Sequence, residues 1–288
     1  MSHFICGVCS RENFAGNIDR ETPGCAGCGS NVRIRAMIRM LSSEICNDVI
    51  PLTEFPPLPQ VKGLGLSDDP RYAGFLAQKF SYVNTYYDRE PFFDITKTHP
   101  DLYGTYDFIL SSEVFEHVPS PVERALEECC KLLKPNGFLC ATVPFASEGE
   151  TREHYPDLHE YATVNLAGRP VLVNRRKDGT VEVHEGLVFH GGAGATLEMR
   201  EFSQSGLVDK LLGAGFTSVI FDEENGPHSM PFIARREKFI LRGDDLMRQW
   251  QITQLRSKVA DLETKLKGAE KSRWLKLGNR IGLGPKLN

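Results

Sequence analysis

At 288 residues the chain can hold one sizeable domain with appendages, and its 41% hydrophobic content is that of an ordinary soluble globular protein. A formal net charge of −4 excludes a general electrostatic pull toward nucleic acid. No apolar run reaches the roughly 20 residues of a membrane span, and MSHFICGVCS lacks a signal-peptide layout, so a cytoplasmic setting with reduced thiols is expected.

Cys6 and Cys9 form one C-x-x-C, and Cys25 and Cys28 form a second fifteen residues later. That spacing reads as a zinc ribbon, in which each pair bites one tetrahedral ion from a tight turn. Four thiolates close the coordination sphere, so the expected role is structural. Four unconnected thiols or a disulfide pair is the competing reading. Cys46, Cys129, Cys130 and Cys140 fall in apolar or helical surroundings and read as small buried hydrophobes.

Ser30 or Asn31 can cap a helix running to about Cys46, with Ile34, Met37, Ile38, Leu41 and Ile45 on one face. Arg33, Arg35 and Arg39 border that face. They read either as a basic patch for RNA or, with more weight, as the solvated side of a packed helix. Pro51–Pro59 marks a boundary, giving a ribbon plus helix over 1–50 and a main domain over 51–240. In QVKGLGLSDD, Gly63 and Gly65 are expected to let backbone approach a ligand, with Ser67 in a third glycine position. A glycine-kinked strand is the alternative. A helix over Tyr72–Phe80 and a strand over Tyr82–Tyr87 follow, the latter β-branched and aromatic.

Tyr106–Pro144 organises the chain. Phe108-Ile109-Leu110 reads as a buried parallel strand ending at Ser111, Ser112 and Glu113. Val122 to Leu133 recurs at helical spacing, Lys134-Pro135-Asn136-Gly137 turns the chain, and Phe138–Val143 is a second strand. The unit is β-α-β with a right-handed crossover, and ligands of such sheets bind beyond the strands' carboxyl ends.

YDFILSSEVFEHV and LLKPNGFLCATVP resemble the fourth-to-fifth-strand region of class I S-adenosylmethionine-dependent methyltransferases. The resemblance runs from about Gln60 to Phe239 and implies a Rossmann-like, seven-stranded α/β sheet, with an antiparallel last strand at Phe232–Ala234. It implies a donor site at Gly63, Gly65, Ser67, Asp88, Asp94, Ser112 and Glu113. Asp88 stands where such enzymes hold the ribose, and Asp94 resembles the residue facing adenine. The acidic residue usual before the glycines is replaced by Val61 and Lys62, and the Asp88–Asp94 segment is short for a helical crossover. The ribbon, EHYPDLHEY and VFHGGAGATLEMR together resemble a bacterial group of methyltransferases often found alongside glycan-assembly proteins.

An insert over 147–200 interrupts the resemblance. Val171–Arg175 and Val181–His184 flank Asp178-Gly179, a strong hairpin signal. His154, Asp157, His159 and His190 lie here, and with His117 they are the candidates for removing a proton from the acceptor. The E-H-x-x-D-x-H-E cluster reads alternatively as a divalent metal site or as a solvated loop. Ser203 can cap a helix from Gly206 to Leu212, and Val219–Phe221 reads as a strand. Over 241–288, Ile252, Leu255, Val259, Leu262, Leu266 and Ala269 form a short coiled-coil seam that could join two copies. From Lys265 onward seven basic residues and one acidic residue give a tail that reads as a membrane-surface contact or a frayed helix.

Three functions stay open: methyl transfer to a small-molecule or carbohydrate-linked acceptor, methyl transfer to RNA, and a non-catalytic binding module with an eroded cofactor motif. The acidic balance disfavours RNA.

Overall fold

The computed structural model describes residues 2–15, 22, 24–145, 149–190, 196–222, 231–237 and 244–271. Residues 1–240 form one compact unit and 241–288 a second.

The first unit opens with an antiparallel hairpin of β1 (Ser2–Ile5) and β2 (Glu12–Ala15). Helix α1 (Val32–Cys46) follows, with Asn31 Oδ1 accepting from the Ile34 N–H at 2.9 Å. The remaining elements of the main sheet and its helices are β3 (Leu58–Leu66), α2 (Pro70–Lys79), β4 (Phe80–Thr85), β5 (Tyr106–Ser112), α3 (Glu123–Leu132) and β6 (Leu133–Thr142). The insert supplies β7 (Arg152–Glu153), β8 (Glu160–Leu166), β9 (Arg169–Arg175), β10 (Val181–His184), β11 (Phe189–His190), β12 (Thr196–Leu197) and β13 (Arg200–Glu201). Helix α4 (Gln204–Gly213), β14 (Ser218–Phe221) and β15 (Phe232–Arg235) complete the unit.

The main sheet runs β14-β15-β6-β5-β3-β4, parallel from β6 to β4, with β15 antiparallel to both neighbours. This is the expected Rossmann-like α/β sheet, but it has six strands among the described residues where seven were expected. Between the end of β4 and Pro100 the chain has no room for a helix and another strand. Only an isolated parallel bridge, Tyr86 to Phe92, forms there.

One sheet face carries Phe80, Tyr82, Phe108 and Phe138, with ring centroids 5.3 Å apart for Phe80–Phe108 and 6.0 Å for Phe108–Phe138. Helix α1 covers this face, and the Met37 carbonyl accepts from the Cys140 thiol. On the other face Leu64, Leu66, Ile109 and Leu139 pack against Leu126 and Cys129 of α3 and Leu207 and Leu211 of α4. The four cysteines outside the ribbon are buried, and burial pushes the Cys46 thiol up to about 12.

The three arginines of α1 are turned onto the protein. Arg33 donates to Ser112, Arg35 donates to the Ser30 carbonyl and stacks over Phe4, and Arg39 pairs with Asp222.

The hairpin at Asp178-Gly179 forms as β9 and β10, and β8 joins it as a third strand the sequence did not announce. The second unit is described as one 28-residue helix, α5 (Asp244–Lys271), whose Ile252, Leu255, Val259, Leu262 and Leu266 are exposed. No helix among the described residues is long and apolar enough to cross a membrane. The basic tail from 272 onward lies outside the described residues.

Candidate functional site

The Cys6, Cys9, Cys25 and Cys28 sulfurs all lie within 4.8 Å of one another. The pairs Cys6–Cys28 and Cys9–Cys25 are 3.7 and 3.5 Å apart. A tetrahedron with metal–sulfur bonds of about 2.3 Å has edges of about 3.8 Å, so the residues fit one zinc-sized ion. Backbone N–H groups of Val8 and Gly27 donate to the Cys6 and Cys25 sulfurs, as thiolate ligands require. All four thiols are free of disulfides.

A second constellation stands at the carboxyl ends of β3, β4 and β5. β4 lies on one side of β3 and β5 on the other, so the chain leaves β3 and β5 in opposite directions. Such a switch point opens a crevice for a ligand. The loop after β3 is pinned from several sides. The Ser67 N–H donates to the Thr85 carbonyl at 2.7 Å, and Ser67 is held at φ +56°. The Asp68 N–H donates to Asn84 Oδ1 at 2.9 Å, and Asn84 Nδ2 donates back to the Asp68 carbonyl at 2.8 Å. The Asp68 carboxylate points into the core and accepts from Tyr72 and Tyr82 hydroxyls. Burial pushes its pKa up to about 7, against the lowering effect of those two hydrogen bonds.

Gly63 and Gly65 have a packing explanation beside the expected approach of a cofactor. Both lie inside β3 rather than in a turn. A Cβ on Gly63 would stand 2.2 Å from the Phe108 ring, and one on Gly65 would stand 2.0 Å from the Tyr82 hydroxyl and 2.6 Å from Asp68. Protein side chains fill the space the glycines leave.

Asp88 and Asp94 occupy contrasting settings. Asp88 is exposed, with Arg89 3.8 Å away. Asp94 is buried, and its Oδ1 accepts from the Thr96 N–H at 3.0 Å and hydroxyl at 2.6 Å. At the end of β5, Ser112 accepts from Arg33, and Glu113 is buried at φ +58° with its N–H bonded to the Thr142 carbonyl.

The turn after β5, Phe115–His117, meets the insert. The Met199 N–H donates to the Glu116 carbonyl at 2.7 Å. Arg200, fully buried, donates to the Phe115 carbonyl at 2.6 Å and forks onto Glu153 at 2.7 and 3.1 Å. His117 Nδ1 lies 2.9 Å from the Leu197 carbonyl, which only accepts, so Nδ1 carries a proton and Nε2 is the ring nitrogen turned away from that bond. That nitrogen is 3.6 Å from Glu116 Oε1. Glu116 is fully buried, and burial, then the Glu113 charge, raises its pKa well above the ordinary value. His154 Nε2 contacts Glu198 Oε1 at 3.1 Å, and its N–H donates to the Met199 carbonyl at 2.8 Å.

The structure therefore draws His117 and His154 to the same three-residue segment, Leu197–Met199. Asp157 and His159 are exposed beside the insert sheet instead. Asp157 faces Arg176 at 3.4 Å, and the His159 N–H donates to Asn174. His190 ends β11, paired with Thr196, and its side chain lies outside the described residues. Among the described residues the four ribbon cysteines are the one group of three or more ligands close enough to share an ion, so the E-H-x-x-D-x-H-E metal reading gains no support. Asp68, Glu116, Glu198 and Arg200 went unnoticed in the sequence. Glu116 stands beside His117, and Glu198 and Arg200 lie in the singled-out TLEMR, but only the fold shows that these stretches touch.

Residues 45–169 match a family model described as a methyltransferase domain. No curated protein matches the sequence. Among solved structures, the chain is similar to the CMeT domain of a citrinin polyketide synthase (13% identity, TM-score 0.42, covering 73% of this chain and 54% of that one). It is also similar to the Burkholderia thailandensis 1,6-didemethyltoxoflavin-N1-methyltransferase, solved with S-adenosylhomocysteine bound (16%, 0.40, 81% and 97%). A third is a sugar N-methyltransferase from a Streptoalloteichus species (11%, 0.37, 62% and 81%). Residues 45–169, which carry the parallel strands β3–β6 and the switch point between β3 and β5, thus match a methyltransferase domain and form a Rossmann-like α/β sheet.

Proposed function

We propose that this chain transfers a methyl group from S-adenosylmethionine to a small-molecule or carbohydrate-linked acceptor held between the strand ends and the insert. The observation that carries this reading is the insert's attachment to the Phe115–His117 turn, next to the switch-point crevice. The donor supplies an already activated methyl, so the protein's work is alignment and removal of the acceptor's proton. Ser67, Asp88, Asp94, Ser112 and Glu113 surround the donor, while Gly63 and Gly65 act by admitting the aromatic packing beneath it. His117, oriented by the bond from Nδ1 to the Leu197 carbonyl, takes the acceptor proton on Nε2, and His154 braces the segment that holds that orientation. The inward engagement of Arg33, Arg35 and Arg39 weakens the RNA alternative. The ribbon holds a structural zinc, and the exposed α5 seam joins two copies.

Calorimetric titration with S-adenosylmethionine and S-adenosylhomocysteine tests the reading. Binding to the parent and its loss in Asp94→Ala is the expected result. A parent chain that binds neither ligand sinks it.

A further inference from the structure

We propose that the cysteine ribbon is a working part of the donor site: the metal fixes residues 29–33, and these position the loop after β3 through Arg71 and the end of β5 through Arg33. The inference rests on the donor-site reading above and adds that metal occupancy sets donor affinity.

The path is short. Gly29 follows the last ligand, Cys28, in a left-handed conformation at φ +71°. Its carbonyl accepts from Arg71 Nη1 at 2.8 Å. The same guanidinium grips Asp69, with Nε 2.8 Å from Oδ1. Asp69 Oδ1 also accepts from the Arg71 N–H at 2.8 Å, capping α2 directly after the Ser67–Asp68 turn. Ser30 is buried, with its hydroxyl 3.2 and 3.3 Å from the Cys6 and Cys28 sulfurs. Its carbonyl collects the Gly24 N–H at 3.1 Å, the Cys25 N–H at 3.2 Å and Arg35 Nη1 at 2.6 Å. Asn31 then caps α1, and Arg33, on its first turn, reaches Ser112.

The first knuckle holds the far end of the same β3–α2 unit. The Gly7 carbonyl accepts from the Leu52 N–H at 2.8 Å and the Val8 carbonyl from the Thr53 N–H at 3.2 Å. Lys79, at the end of α2, donates to the Thr53 carbonyl at 2.8 Å. One tetrahedral ion therefore clamps both knuckles onto the strand–loop–helix unit that forms half of the crevice. Without it the four sulfurs keep only weak thiol and hydroxyl contacts, and the anchors at Gly29 and Gly7 loosen.

The full chain is compared metal-loaded and stripped by a chelator under reducing conditions, with metal release measured colorimetrically. S-adenosylhomocysteine affinity is read by calorimetry, and backbone mobility by hydrogen exchange at residues 66–69 and 111–113. Stripping, Arg33→Ala and Arg71→Met should each weaken affinity about tenfold, the scale of one charge-assisted hydrogen bond. The same two segments should exchange faster while β6 stays protected, and Arg33→Lys should restore part of the affinity. Unchanged affinity and unchanged protection in the stripped protein overturn the proposal. If stripping unfolds the whole chain, the arginine variants in loaded protein decide it by the same criteria. A loaded parent that binds no S-adenosylhomocysteine refutes the donor reading, and hydrogen exchange alone then judges the coupling.

Discussion

At the ends of β3 and β5 the backbone is pinned by buried side chains, whereas β8 is exposed along all seven of its residues. This end draws its shape from the core: two glycines admit Phe108, Tyr82 and Asp68, and the loop above them follows. The insert is tied to the end of β5 along one edge, where Leu197–Arg200 bonds to the Phe115–His117 turn. A rigid half suits a ligand common to many enzymes, and a half attached at one edge suits a changeable one.

The largest effect should come from cutting that edge. Arg200→Met strands the Phe115 carbonyl and the Glu153 carboxylate, and should cost about 3–5 kcal/mol by denaturant unfolding, the range for a broken buried ion pair. A loss below about 1 kcal/mol would mean the insert is held elsewhere. Next, His117→Ala should lower turnover on the order of 10²-fold and His154→Ala, which only loosens the brace, by less, both leaving donor affinity nearly intact. Asp157→Ala and His159→Ala should change turnover little, because both side chains are exposed on the insert sheet. Equal losses in all four variants would erase the distinction between the two edges of the insert.

On the donor side, Gly65→Ala forces a methyl against Tyr82 and Asp68 and should cost about 1–3 kcal/mol of stability. A variant as stable as the parent but unable to bind donor would restore the cofactor-approach explanation. The most gradual effect is a slope. Asp68 keeps its proton up to about pH 7 in the folded chain, against 3.8 ordinarily. The folded state therefore binds more protons across that window, and stability falls as pH rises through it, by at most about 1.4 kcal/mol per pH unit. Asp68→Asn should flatten this slope in denaturant titrations between pH 4 and 7; an unchanged slope would assign it to other groups.

The sequence made the β-α-β unit legible because Phe108–Leu110 and the Val122–Leu133 periodicity are strong local signals. It also located the ribbon, since C-x-x-C spacing is itself the geometry of the site. The hairpin at Asp178-Gly179 was readable from its turn, but β8 was not: its alternation is weak and all its residues are exposed. Glycines 63 and 65 were noticed as places of close approach, and the structure shows protein side chains among what approaches them. A glycine in a strand announces a close approach but not what approaches, and here Phe108 and Tyr82 arrive from other strands. Arg200 and Glu116 stayed hidden because roughly 80 residues separate the groups they bridge, and no local pattern spans that distance.

The pairing of β6 with β15 joins Ala141 to Phe232, positions roughly 90 residues apart along the chain because the whole insert lies between them. Closing a flexible loop costs free energy only as the logarithm of its length, so lengthening this one from roughly 40 residues to roughly 90 adds about 1 kcal/mol. An entire three-stranded sheet thus enters the fold at a small entropic charge to the strands that bracket it. The junction after β6 is therefore where this architecture can exchange one roof for another, by lengthening a single connection while the ladder beneath keeps its register.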